Sequence, residues 1–191
     1  MRAGSGGSYF GVYLAAAVIL AALVHFVVVL AAPLMASDDA FERLSARGDV
    51  NAATLLARAD PARKVFPFAD PAVAMAFCRF ELASGPIRVT APVGRSFASI
   101  SFHTRRGLVF YSLTDKASTH GVIDAVIGSP DQVQALAEGD NEEDPSRDLR
   151  VAAPAREGYV LMRAFSDLPS LYPQAEAEAK RLVCKPEPMP K

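Results

Sequence analysis

The chain has 191 residues, room for one ordinary domain plus a short extra segment. Its 20 Lys+Arg nearly balance 21 Asp+Glu, and with Arg2 set aside the part beyond residue 36 carries 19 basic and 21 acidic side chains, a net of -2. That balance excludes the basic face or arm by which proteins hold nucleic acid.

Residues 10–32 read FGVYLAAAVILAALVHFVVVLAA, 23 residues without a full charge. As a helix they extend roughly 34 Å, enough to cross a hydrocarbon core of about 30 Å. A helix also satisfies its own backbone, which lipid demands. Pro33 is expected to end it. The rival is a cleaved export signal, whose apolar run is about 7–15 residues and closes on a small-x-small site. The longer run and Pro33 favour a retained anchor, with residues 1–9 in the cytoplasm. His25 is the one ionisable residue in the span. It marks either a polar contact with a partner helix or a neutral imidazole snorkelling outward.

Residues 33–71 form a helical and extended linker. Ser37, Asp38 and Asp39 make an N-cap cluster. Two short helical pieces are expected between about 38 and 59, broken at Gly48. Pro61, Pro67 and Pro71 make residues 60–71 extended.

From residue 72 the period becomes two. Ala76, Cys78, Phe80 and Leu82 share one face, opposite Arg79 and Glu81. Ile87, Val89 and Ala91 alternate with Arg88 and Thr90, and Ala98, Ile100 and Phe102 alternate with Ser99, Ser101 and His103. LVFYSL at 108–113 and residues 122–127 add two strands. Gly and Pro turns separate them, so residues 72–184 are expected to fold as a mainly β, antiparallel sandwich-like domain. Ser129-Pro130-Asp131 caps a short helix. The acidic run GDNEEDPSRD at 139–148 reads as an exposed loop. Strands 148–153 and 158–165 follow, then a C-terminal helix over about 170–183 and a frayed tail at 185–191.

The stretch DPAVAMAFCRFELASGPIRVTAPVGRSFASISFHTRRGLVFYSLTD at 70–115 resembles the bacterial family known as domain of unknown function 1254. With its anchor and length, the chain is similar to the short membrane-anchored members found in alphaproteobacteria. The resemblance implies a β-sandwich-like domain and an envelope location. It implies no reaction and no catalytic residues, and the long additional β domain of larger relatives is not expected in these 191 residues.

Cys78 and Cys184 are an even pair, 106 positions apart. In an exported domain they are expected to form one bridge, with a buried and an exposed free thiol as the alternative. No CxxC, GxSxG, GxGxxG or GxxxxGK[ST] motif is present. Beyond the apolar span the histidines are His103 and His120, two where zinc needs three or four ligands; Asp115 or Asp124 could join them, which leaves His103, His120 and Asp115 as weak ligand or metal candidates. Arg105 and Arg106 at a turn are candidates for a carboxylate or phosphate, or a solvated turn.

The expectation is a single-pass inner-membrane protein presenting a periplasmic module for protein or ligand interaction. Its partners are the lipid bilayer and another membrane or periplasmic protein, with no cofactor, metal or catalytic residue assigned. The alternative is a small envelope enzyme with an unrecognised or partner-shared site.

Overall fold

The computed structural model describes residues 6–35, 39–60, 66, 69–94, 96–140 and 148–189. Two compact units result, residues 1–38 and 39–191. In the first, α1 (Gly6–Met35) is one helix. Its span Tyr9–Pro33 is long and apolar enough to cross a membrane, with mean hydropathy 2.8 and no residue of that window buried. Pro33 does not end the helix as expected; it sits inside the last turn. There it lacks the N–H that would bond the carbonyl four residues back, and its ring crowds that carbonyl, a cost confined to the last turn.

The second unit opens with α2 (Ala40–Ser45). Asp39 caps it, its carboxylate accepting the Glu42 N–H at 2.9 Å. The second helical piece expected before residue 59 does not form. Asn51 takes a left-handed conformation at φ 58°, and its side-chain oxygen accepts the Glu81 N–H at 3.1 Å. The chain then bonds to a neighbouring strand edge rather than to itself, as β1 (Ala53–Leu55). The proline-rich stretch 60–71 falls largely outside the described residues.

β2 (Val73–Glu81), β3 (Ile87–Pro92), β4 (Ala98–Thr104), β5 (Val109–Thr114) and β6 (Val122–Gly128) follow in order. Next come α3 (Pro130–Glu138), β7 (Leu149–Ala152), β8 (Glu157–Phe165), α4 (Tyr172–Ala179) and β9 (Val183–Pro186). They make the expected mainly β fold from two sheets, ordered β1-β2-β8-β4-β5 and β7-β6-β3-β9. Every pairing is antiparallel except β6 with β7, which α3 connects as a parallel crossover. Ser129 caps α3 in a reciprocal box with Gln132.

Between the sheets lies the main core. Ala76, Cys78 and Phe80 from β2 and Val160 and Met162 from β8 meet Ile87 and Val89 from β3 and Ile123 and Ile127 from β6. Gly158 lets this core close: a Cβ there would lie 2.1 Å from the His103 carbonyl oxygen and 2.5 Å from the Phe80 ring.

The C-terminal end departs from expectation. The helix stops at Ala179, and Arg181 and Leu182 close it by tighter bonds to Glu178 and Ala179. Val183–Pro186 then pairs with β3, so residues 185 and 186 belong to the sheet rather than to a frayed tail. Cys184 is thereby set against Cys78, and the two are joined across a Cα separation of 6.4 Å. The bridge links β2 of one sheet to β9 of the other.

Arg88, at the centre of the four-stranded sheet, gathers the rest. Its guanidinium donates to Asp124 and Asp148 at 2.8 Å each and to Glu187 at 2.7 Å. Glu187 most of all, and Asp124 with it, hold its pKa above the ordinary arginine value against the lowering effect of burial. Arg150 pairs in turn with Asp140 at 2.6 Å and Asp148 at 3.5 Å. Residues 141–147 of the acidic loop lie outside the described residues.

Replacing Cys184 by Ser is expected to lower the unfolding free energy by about 3–5 kcal/mol, the value of closing so long a loop. Urea denaturation of the full chain in detergent reads it, and a non-reducing thiol titration should find no free thiol. Two free thiols would contradict the bridge. Arg88→Met is expected to cost about 2 kcal/mol in the same assay, because partly buried carboxylates lose their cation. An unchanged denaturation midpoint would show the cluster to be ornamental.

Candidate functional site

The outer face of the five-stranded sheet carries the candidate site. A sandwich sheet usually turns this face to water, but here it is covered. Phe41 and Leu44 of α2, Leu56, and Phe77 and Tyr159 of the sheet form a second buried cluster, with Phe66, Met75 and Leu161 packed against it. α2 is fixed over the sheet by Arg105, whose guanidinium bridges Glu42 at 2.9 Å and Glu157 at 3.2 Å. The same guanidinium lies 5.0 Å from the Phe41 ring centroid. Arg105 is thus engaged by carboxylates of its own chain.

The cover leaves a cavity of about 460 Å³. Leu44, Leu56, Phe66, Met75 and Leu161 give it apolar walls, and Asp70, His103, Tyr159 and Arg163 add polar groups. His103 was expected on the outward face of its strand. It is on that face, but buried, at 7% exposure. A bulge between Phe102 and His103, where β5 skips Phe110, shifts the register beside it. The imidazole stacks on the Tyr159 ring at 4.6 Å between centroids and 7° between planes.

A directed chain of hydrogen bonds runs through the site. Nδ1 of His103 faces the Gly107 carbonyl at 3.3 Å. A carbonyl only accepts, so Nδ1 carries the proton and Nε2 of the neutral ring accepts from the Ser101 hydroxyl at 2.8 Å, with the Leu161 carbonyl a second acceptor for that hydroxyl at 3.3 Å. Arg163 in turn donates from Nη1 to Ser101 Oγ at 3.1 Å. Burial and then the nearby Arg163 charge push the His103 pKa below its ordinary value, against the upward pull of Gly107. Burial likewise lowers Arg163 and raises Tyr159.

Arg163 is the residue sequence reasoning missed. It lies in β8 among apolar neighbours and was read only as a strand residue. Its hydrogen-bond partner is the neutral Ser101 hydroxyl, and no carboxylate pairs with it among the described residues. Asp70, in the same wall, accepts the Ala72 N–H at 2.8 Å.

The other candidates lie elsewhere. His120 sits exposed in a left-handed turn at φ 54°, and Asp115 begins the 3-10 turn Asp115–Ala117. Neither lines the cavity with His103. Among the described residues no group of three or more His, Cys, Asp or Glu is placed to hold a metal ion. His25 lies on α1, its ring edge-on to Phe26 at 6.2 Å. Ser101 and His103 form a hydroxyl–imidazole pair, but the cavity wall contains His103 and Arg163 rather than Ser101.

Residues 50–186 match the family model described as "Protein of unknown function (DUF1254)". The chain belongs to the DUF1254 family. Its fold is similar to that of the VPA0106 protein from Vibrio parahaemolyticus, with a TM-score of 0.54 at 10% identity, over 78% of this chain and 34% of that one. An uncharacterised protein from Burkholderia cenocepacia gives a TM-score of 0.43 at 14% identity, over 63% and 33%. This DUF1254 chain therefore spans about a third of the length of either. At such identities the likeness to VPA0106 is one of fold alone. No curated protein matches the chain.

The depressed pKa of His103 fixes a sign. Its neutral form is favoured in the folded state, so its contribution to stability is full above about pH 6.5 and is lost as pH falls through the lower folded value. The His103 ring proton resonance, assigned with His103→Gln in detergent micelles, is expected to titrate with a midpoint below 6.5. A midpoint at or above that value would contradict the burial.

Proposed function

We propose that this DUF1254 protein is a single-pass protein of the bacterial inner membrane whose periplasmic sandwich binds a small ligand on the outer face of its five-stranded sheet. The cavity carries the proposal. Its volume of about 460 Å³ falls within the roughly 300–1,000 Å³ typical of small-ligand sites. It also joins apolar walls to a few convergent polar groups, the usual composition of such sites.

Two further observations support the location. α1 has the length and apolarity of a membrane anchor or an export signal. Of the two, Pro33 where a small-x-small cleavage site would stand favours the anchor. The Cys78–Cys184 bridge is at home in an oxidising compartment. The Ser101–His103 pair favours a second reading, an envelope hydrolase. Against it, the serine oxygen is already engaged by Arg163 and is not part of the cavity wall.

The full-length chain is expected in the pellet of carbonate-washed membranes, carrying about one small molecule per chain by solvent extraction and mass spectrometry. Met75→Trp, which fills the cavity, should stay in the pellet without that molecule. A chain released into the wash, or a Met75→Trp variant still loaded, would contradict the proposal.

A further inference from the structure

The geometry points to a ligand class: a single-chain amphiphile with one anionic head, carboxylate or phosphate, its head on Arg163 and its chain along the apolar walls. This rests on the cavity being a binding site. Arg163 is a half-buried cation, and burying a cation is unfavourable unless it is paired. Its partner here is a neutral hydroxyl at 3.1 Å, which occupies one of five guanidinium N–H donors. The remaining donors form the planar fork that matches a carboxylate or phosphate in two parallel hydrogen bonds.

The neighbours reinforce the choice of charge. The single Ser101 hydroxyl hydrogen has two acceptors in its own chain, His103 Nε2 at 2.8 Å and the Leu161 carbonyl at 3.3 Å, so Ser101 has none to spare for a ligand. His103 is held neutral, its Nδ1 proton turned toward Gly107. Asp70 is engaged by the Ala72 N–H. Among the described residues of the wall, Arg163 and the Tyr159 hydroxyl are therefore the groups with donors to spare, and Arg163 is the one that is cationic. Around it Leu44, Leu56, Phe66, Met75 and Leu161 offer hydrocarbon and no hydrogen-bonding side-chain groups. A bare inorganic anion would leave those walls unused, and a neutral hydrocarbon would leave the guanidinium unpaired.

The test is calorimetric titration of the full chain in phosphatidylcholine nanodiscs, with empty discs subtracted. The probes are decanoate, decyl phosphate, decanol and butyrate. Either ten-carbon anion is expected to bind one to one, the two arms separating a carboxylate from a phosphate source. Decanol should bind at least ten-fold more weakly than the better anion. Butyrate, six methylenes shorter than decanoate, should bind at least about 100-fold more weakly than it, since each buried methylene contributes about 0.8 kcal/mol. Arg163→Gln should weaken the anion at least ten-fold and leave decanol unchanged, whereas Arg163→Lys should stay within about ten-fold of wild type. If Arg163→Gln does not fold, the wild-type contrast of anion with alcohol and the Lys variant carry the test. If decanol equals the anions and Met75→Trp abolishes all binding, the anionic head is overturned while the cavity stands as a site. If no ten-carbon probe binds one to one, or Met75→Trp leaves binding intact, both proposals fall.

Discussion

A sheet that is apolar on both faces has to be covered twice, and that constraint organises the sandwich unit of this chain, residues 39–191. The inner face is covered by the second sheet, which closes the main core. Among the described residues the outer face has no third sheet to meet it. Phe77, Met75, Tyr159 and Leu161 point into a layer made from α2 and the segment around Leu56 and Phe66. This layer is thin and irregular, and it leaves a cavity where it fits the sheet incompletely. The candidate site is thus a by-product of how the second face is buried.

The same constraint accounts for the polar chemistry. Ser101, His103 and Arg163 occupy outer-face positions of β4 and β8, where a solvated sheet would carry polar side chains at no penalty. Under the cover each must find a partner. They find one another in a chain that ends on the Gly107 carbonyl. Hydroxyl and imidazole are satisfied in this way, but a guanidinium is not satisfied by one hydroxyl. The residual charge of Arg163 gives the cavity a polarity that its walls alone would lack. On the opposite side of the molecule Arg88 shows the contrast, since its guanidinium is matched by Asp124, Asp148 and Glu187 and has little left to offer.

Much of this fold was legible from residue order. The two-residue alternation of Ile87, Val89 and Ala91 and of Ile100 and Phe102 marks the inner face. Ser129 and Gln132 mark the cap of α3, and the even cysteine count marks the bridge. The double coverage was encoded too: VAMAFCRF in β2 and GYVLMRAF in β8 are apolar at both parities, as strands buried on both faces are. In β4 the polar residues Ser101 and His103 on that second face mask it, because the same alternation fits a sheet with one face in water. β1 was not legible because Asn51 and the edge of β2, not local propensity, decide its conformation. The pairing of Val183–Pro186 with β3 spans about half the chain, and no local pattern in LVCKPEP announces it.

The most direct measurement is hydroxyl-radical footprinting of the full chain in detergent, read residue by residue by mass spectrometry. Tyr159 and Met75 on the covered outer face are expected to oxidise far more slowly than the exposed Tyr111 and Phe97. Removing the cover with Phe41→Ala and Leu44→Ala together should expose Tyr159 and Met75 and leave the inner-face Met162 protected. Tyr159 reacting as fast as Tyr111 in the unaltered chain would show that the second face is open to water rather than covered.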